Sequence, residues 1–187
     1  MAVEKPDGLA ESQTSLHRGA RCPVTARRDL MPNVWWCNQT KCWTTEHANA
    51  LVCAAEAPAQ RVNKFRRMVE HVRIGDIAVH YRSGIGVVAV SRALTNPKHG
   101  VVTTTGGSDC WQTPSTGWYY TAEYFVLQVP IPKLGFISLA STLRVTDGPF
   151  VGGNRVRQAY FMPFHKSGLD VLRAVTVVPW PTWALVP

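Results

Sequence analysis

Residues 118–129 alternate with a period of two: Trp118, Tyr120, Ala122, Tyr124 and Val126 fall on one side of the segment. A helix cannot keep such a set on one face, so this stretch reads as one long strand with a packed aromatic side, ended by Pro130 and Pro132. A strand of that length needs partners on its edges, and the sequence offers several. Val34-Trp35-Trp36-Cys37, opened by Pro32-Asn33 and closed by Asn38-Gln39, reads as a first strand. Ile77-Ala78-Val79-His80-Tyr81 and Val87-Val88-Ala89-Val90 read as a hairpin with its tip at Arg82-Ser83-Gly84.

Helical signals are fewer and shorter. Val62, Phe65, Met68, Val69 and Val72 form a helical stripe within 60–72, with Arg61, Lys64, Arg66 and Arg67 around it. Residues 136–142 and 167–174 read as two short helices, the second with Ser167 as its cap. Residues 48–59 are alanine-rich and fit either a short helix or a strand. Residues 95–116 read as a long loop holding His99 and Trp111, and the two prolines of Val178-Pro179-Trp180-Pro181 exclude an α-helix there. The predicted class is therefore α+β, mostly β: a small antiparallel barrel of five or six strands with short peripheral helices.

The chain has 187 residues, enough for one domain with its own core. Residues 1–31 are polar, mixed in charge and without periodicity, which predicts a flexible N-terminal tail ahead of a domain at 32–187. Of 20 Lys and Arg and 12 Asp and Glu, five and four lie in that tail, so nearly all of the net +8 belongs to the domain. Seven Trp, five Tyr and six Phe accompany this charge. Cations beside aromatics suit a protein that holds an unstacked base near a phosphate backbone, although aromatics in a core and charge for solubility would give the same composition.

Other chemistries lack their signatures. No run of about 18 apolar residues is present to span a membrane, and Met1–Gln13 has acidic residues and no apolar stretch of the kind a secretory leader needs. Five irregularly spaced cysteines argue against a disulfide framework and for a reducing cytoplasm. Cys37, Cys42, His47 and Cys53 are the one metal-like group, with spacings that fit no paired-cysteine motif. Phosphate-cradling glycine motifs, a Gly-x-Ser-x-Gly elbow and paired carboxylates are all missing, so neither a catalytic residue nor a cofactor is expected.

Four segments carry a family resemblance. Asn33-Val34-Trp35-Trp36-Cys37-Asn38-Gln39 with Trp43 and Glu46 is similar to the opening strand and loop of EVE domains, PUA-like proteins related to the YTH readers. Residues 72–85 resemble that family's hairpin, and residues 117–131 its long strand. Gly148-Pro149-Phe150 with Val156-Arg157-Gln158-Ala159-Tyr160-Phe161 resembles its closing segment. The resemblance implies a PUA-like barrel whose pocket accepts one flipped, modified base: 5-methylcytosine or 5-hydroxymethylcytosine in DNA first, N6-methyladenine or another mark in RNA as the alternative. A restriction or defence setting would place cleavage on a separate nuclease subunit. A non-binding adaptor subunit is the remaining alternative.

On this reading the base pocket is expected from Trp36, Asn38, Gln39, Trp43, His80, Tyr81, Ser83, Trp111 and Tyr160. Phosphate contacts are expected from Arg61, Arg66, Arg67, Arg82, Arg155 and Arg157. Trp36 and Asn38 share one strand face and Trp35 and Gln39 the other, so one pair should turn inward; Trp36 is expected in the core and Gln39 at the mouth. Where many family members have a cage Trp, this chain reads Ala50-Leu51-Val52-Cys53-Ala54. Trp43 or Trp111 would have to supply that wall, or the pocket takes a different ligand.

Overall fold

The computed structural model describes residues 31–56, 64–102, 115–140, 142–152 and 154–185, all within the unit Met31–Pro187. The expected tail, apart from Met31, lies outside the described residues, as do Arg61 and Trp111. The strands are β1 (Val34–Asn38), β2 (Leu51–Ala55), β3 (Ile77–Arg82), β4 (Gly86–Ala93), β5 (Lys98–Val102), β6 (Ser115–Ile131), β7 (Phe150–Val151), β8 (Arg155–Val156) and β9 (Phe161–Pro163). The helices are α1 (Trp43–Ala48), α2 (Lys64–Arg67), α3 (Lys133–Ala140) and α4 (Ser167–Ala174), with 3-10 turns at Met68–His71 and Thr182–Ala184.

Seven strands form one curled sheet in the order β2-β6-β4-β3-β1-β9, with β5 also on β6. The long strand foreseen from the alternation organises it. Its first half pairs with β2 on one edge and β5 on the other, and its second half pairs with β4. The fold is mostly β, as the sequence predicts, with helices outside the sheet.

Several local expectations are corrected. Pairing of Lys98–Val102 with Ser115–Tyr119 makes a strand of residues expected as loop. Pro130 does not end β6 but sits in it, where the β4–β6 register shifts between Val87 and Ala89; a missing N–H costs little in such a stretch. β1 and β3 are parallel, an exception in an otherwise antiparallel sheet. The basic helix is one turn of α-helix running into a 3-10 turn, and Ser167 makes no side-chain cap on α4. The tail prolines do exclude an α-helix, yet Thr182–Ala184 still closes a 3-10 turn.

Both faces of the sheet are covered, which is why adjacent tryptophans are both buried. Trp36 packs with Tyr81, Phe136, Phe150 and Phe164 at ring-centroid distances of 5.2–6.0 Å, in the core shared with α3 and α4. Its indole N–H has no partner among the described residues. Trp35 faces the concave side with Cys37, Val52, Ala78, Tyr120, Ala122 and Phe161, closed over by Val69 and Val72. The hairpin between β3 and β4 turns through Gly84 and Gly86, both at positive φ; a Cβ on Gly86 would fall 2.0 Å from the Ile131 carbonyl oxygen. No described helix is long and apolar enough to cross a membrane.

Candidate functional site

A curled sheet that does not close leaves free edges, among them β2 and β9. The gap between them is a cleft of about 620 Å³, bounded by Cys53, Ala54 and Ala55 on the β2 side and by Asn38, Gln158 and Tyr160 on the other. Thr40, Lys41, Cys42, Arg66, Ser83 and Ala159 complete its lining. The volume falls within the usual range for small-ligand pockets. Among the described residues, no carboxylate and no imidazole lines it.

The rim is held by local bonds that follow from the turn chemistry of its residues. Thr40 Oγ1 donates to Asn38 Oδ1 at 2.9 Å and accepts the Ser83 N–H at 2.8 Å, tying the end of β1 to the β3–β4 turn. The Asn38 N–H donates to the Tyr160 carbonyl at 2.7 Å. Arg66 Nη1 donates to the Ala55 carbonyl at 3.2 Å, which sets its guanidinium against the β2 edge.

Behind the cleft lies a buried polar chain on the concave face. The Tyr160 hydroxyl donates to Glu46 Oε1 at 2.6 Å, and the Cys53 N–H and Sγ–H reach the same oxygen at 3.2 Å each. Gln39 Nε2 donates to Glu46 Oε2, and Gln39 Oε1 faces His80 Nδ1 at 2.5 Å. His80 Nε2 lies 2.7 Å from Ser91 Oγ. With the Gln39 amide donating to Glu46, its oxygen must accept, so His80 carries its proton on Nδ1 and Nε2 accepts the Ser91 hydroxyl proton.

This order agrees with the ionisation of its members. Burial, helped by the charge of His47, lowers the His80 pKa to about 3, so the ring is neutral. Burial also raises Glu46 to about 7, against the opposing hydrogen bonds from Tyr160, Cys53 and Gln39. The thiols of Cys37 and Cys53 are pushed up by burial and by Glu46, which leaves them protonated and poorly nucleophilic.

The structure thus sorts the expected residues. Asn38, Ser83 and Tyr160 come together in the cleft, with Arg66 beside them. Gln39 and His80 are fully buried in the chain behind it, so Gln39 is not at an open mouth. The expected pocket role of Trp36 and Tyr81 is corrected, while Trp36 does sit in a core: both pack in the opposite core because strand alternation points them away from the concave face. Trp43 starts α1 rather than sitting in a loop; it stacks on His47 at 4.9 Å and packs on His80 and Tyr124, outside the cleft lining. Tyr160 immediately precedes β9.

The arginines also divide. Arg67 pairs with Glu70 at 3.4 Å. Arg155 and Arg157 each donate through Nε to a loop carbonyl, of Gly152 and Gly148 respectively, and Arg157 covers the Phe65 ring. Arg82 ends β3 with a buried Nε that has no partner among the described residues. Sequence reasoning did not single out Thr40, Gln158, Cys53 or Ser91 for the site. Glu46 was noted only as part of a motif, although a carboxylate seven residues after a strand-end glutamine was the available signal.

The sequence matches no protein-family model and no curated protein. Solved structures similar to this one include a protein from Pseudomonas syringae, at 9% identity over 76% of this chain and 98% of that one, TM-score 0.48. Human THYN1 protein in complex with 5-methylcytosine-containing DNA is similar at 14% identity over 79% and 99%, TM-score 0.47. A protein from Agrobacterium tumefaciens is similar at 16% identity over 80% and 97%, TM-score 0.39. At these identities and scores neither residue roles nor ligands transfer from those proteins.

Proposed function

We propose that the chain is a non-enzymatic nucleic-acid reader whose cleft takes up one extruded base. The observation that carries this reading is the meeting of Asn38, Thr40, Ser83, Gln158 and Tyr160 in one cleft with Arg66 at its rim. The amides and hydroxyls suit the hydrogen-bonding edge of a base, the Tyr160 ring offers an aromatic wall, and the guanidinium suits a phosphate. The absence of carboxylate and imidazole from the described lining fits recognition better than hydrolysis.

Modified cytosine in DNA is the ligand class we favour, because of the resemblance of the four sequence segments to EVE domains. A methyl group adds no hydrogen bond, so its recognition must come from apolar walls, for a gain of about 1–3 kcal/mol. Ala54 and Ala55 on the β2 edge offer such walls in place of the cage Trp. Extrusion costs a few kcal/mol, which stacking and phosphate contacts would offset.

Titration of isotopically labelled protein with a duplex carrying one 5-methylcytosine tests this. Saturable shifts of the Asn38, Ser83 and Gln158 amides are expected. Shifts confined to residues remote from the cleft would refute the assignment.

A further inference from the structure

At the other end of β1 a second pocket, of about 380 Å³, is lined by Asn33, Trp35, His71, Arg73, Phe164 and Lys166 among others. Its three basic groups come from separate segments. His71 ends the 3-10 turn after α2, Arg73 precedes β3, and Lys166 sits at the N-terminal boundary of α4. No carboxylate lines the pocket, and among the described residues neither Arg73 nor Lys166 makes an ion pair.

Two acidic groups lie close by, and both are committed elsewhere. Asp76 accepts the Asn33 N–H at 2.8 Å, the Trp35 indole N–H at 2.9 Å and the Arg73 N–H at 3.0 Å. Glu70 stands 3.6 Å from His71 but also 3.4 Å from Arg67, with which it pairs. The lining itself thus carries the Arg73 and Lys166 charges without a carboxylate among them, while Asp76 keeps its negative charge beneath the Asn33, Trp35 and Arg73 side of the pocket.

We propose that this pocket binds a phosphate group, with Arg73 supplying paired donors and Lys166 a point charge. The position suits a nucleic-acid backbone. β1 separates the pocket from the cleft by about 16 Å at the usual rise per residue, a distance that matches roughly five base-pair steps along a duplex axis. The α2 segment and its 3-10 continuation link the two sites, with Arg66 at the cleft and His71 at the pocket. The proposal rests on charge and shape at this pocket and does not require a base in the cleft.

The test compares wild type with the double variant Arg73→Ala/Lys166→Ala, using an unmodified duplex at two salt concentrations and, separately, inorganic phosphate. Expected is a loss of about tenfold in duplex affinity, with the salt slope reduced by about two and the ratio between modified and unmodified duplex unchanged. Phosphate should shift the Trp35 indole resonance saturably in wild type but not in the variant, and Arg73→Lys should restore part of the response. A phosphate response without a duplex effect would assign the site to free phosphate. Absence of duplex binding with the phosphate response retained would remove the base-reading proposal and leave this site standing. Unchanged affinity and slope together with no phosphate response would overturn the inference.

Discussion

Tyr160 and Glu46, 114 residues apart in sequence, meet across the unclosed edge of the sheet, where the phenol donates to the buried carboxylate at 2.6 Å. The same carboxylate oxygen takes the N–H of Cys53 on the β2 edge. One buried acid thereby ties together both sides of the cleft. A bond that fixes the phenol to Glu46 leaves the ring, rather than the hydroxyl, as the group Tyr160 presents to a ligand.

Tyr160→Phe should therefore keep the ring and lose the tie. Above pH 7, where Glu46 is ionised, a hydrogen bond to this charged partner contributes about 1.5–3 kcal/mol, so the unfolding free energy should drop by that amount in urea denaturation there. Tyr160→Ala should lose more, because it also removes a wall of the cleft. Equal stability of Tyr160→Phe and wild type would show that the bond is not made in solution.

Glu46 gives a pH signature of unusual sign. Its folded pKa of about 7 lies above the ordinary 4.5, so the folded state holds the proton more tightly. Stability from this group is fully present below pH 4.5 and is lost as pH rises to 7, by roughly 3 kcal/mol in total. Glu46→Gln removes the titration, so its stability relative to wild type should climb across that window. A difference that does not vary with pH would contradict the buried, perturbed carboxyl.

His80 works in the opposite direction. Its pKa is about 3 in the fold against an ordinary 6.5, so acidification from pH 6.5 toward 3 protonates the unfolded chain first and destabilises the native state. Between pH 4.5 and 6.5 the two groups oppose each other, and the wild-type curve should be nearly flat there. Glu46→Gln should expose the His80 slope as a steady loss on acidification, read from thermal midpoints. A steep wild-type dependence in that interval would count against this pairing.

Asp76 is expected to matter for stability rather than binding. It satisfies two backbone N–H groups and the Trp35 indole, fixing the entry of β1 against β3. Asp76→Ala leaves those donors without an acceptor and should cost at least about 3 kcal/mol in urea denaturation. A loss under about 1 kcal/mol would mean that water replaces the carboxylate freely.

Much of the sheet was legible because alternation is a local property: the long strand, the hairpin and the first strand stand in the residues themselves. What was hidden is long-range. Trp35 and Trp36 give no sign that a sheet is covered on both faces, and that coverage moved Trp36 and Tyr81 out of the expected pocket. Lys98–Val102 is polar enough to read as loop and becomes a strand only because β6 extends far enough to pair with it. The site was half legible. Asn38, Ser83 and Tyr160 are polar or aromatic residues beside strand ends, where pockets form. Glu46 gains its role only when Cys53 and Tyr160 arrive from elsewhere in the chain.

The most direct test of the account is the affinity for matched duplexes that differ only in one cytosine, unmodified or 5-methylated, compared between wild type and Asn38→Ala. The account predicts tighter binding of the methylated duplex by wild type, by about five- to a hundredfold for one buried methyl group, and a weakening of that binding in the variant. Equal affinity of wild type for both duplexes would contradict it.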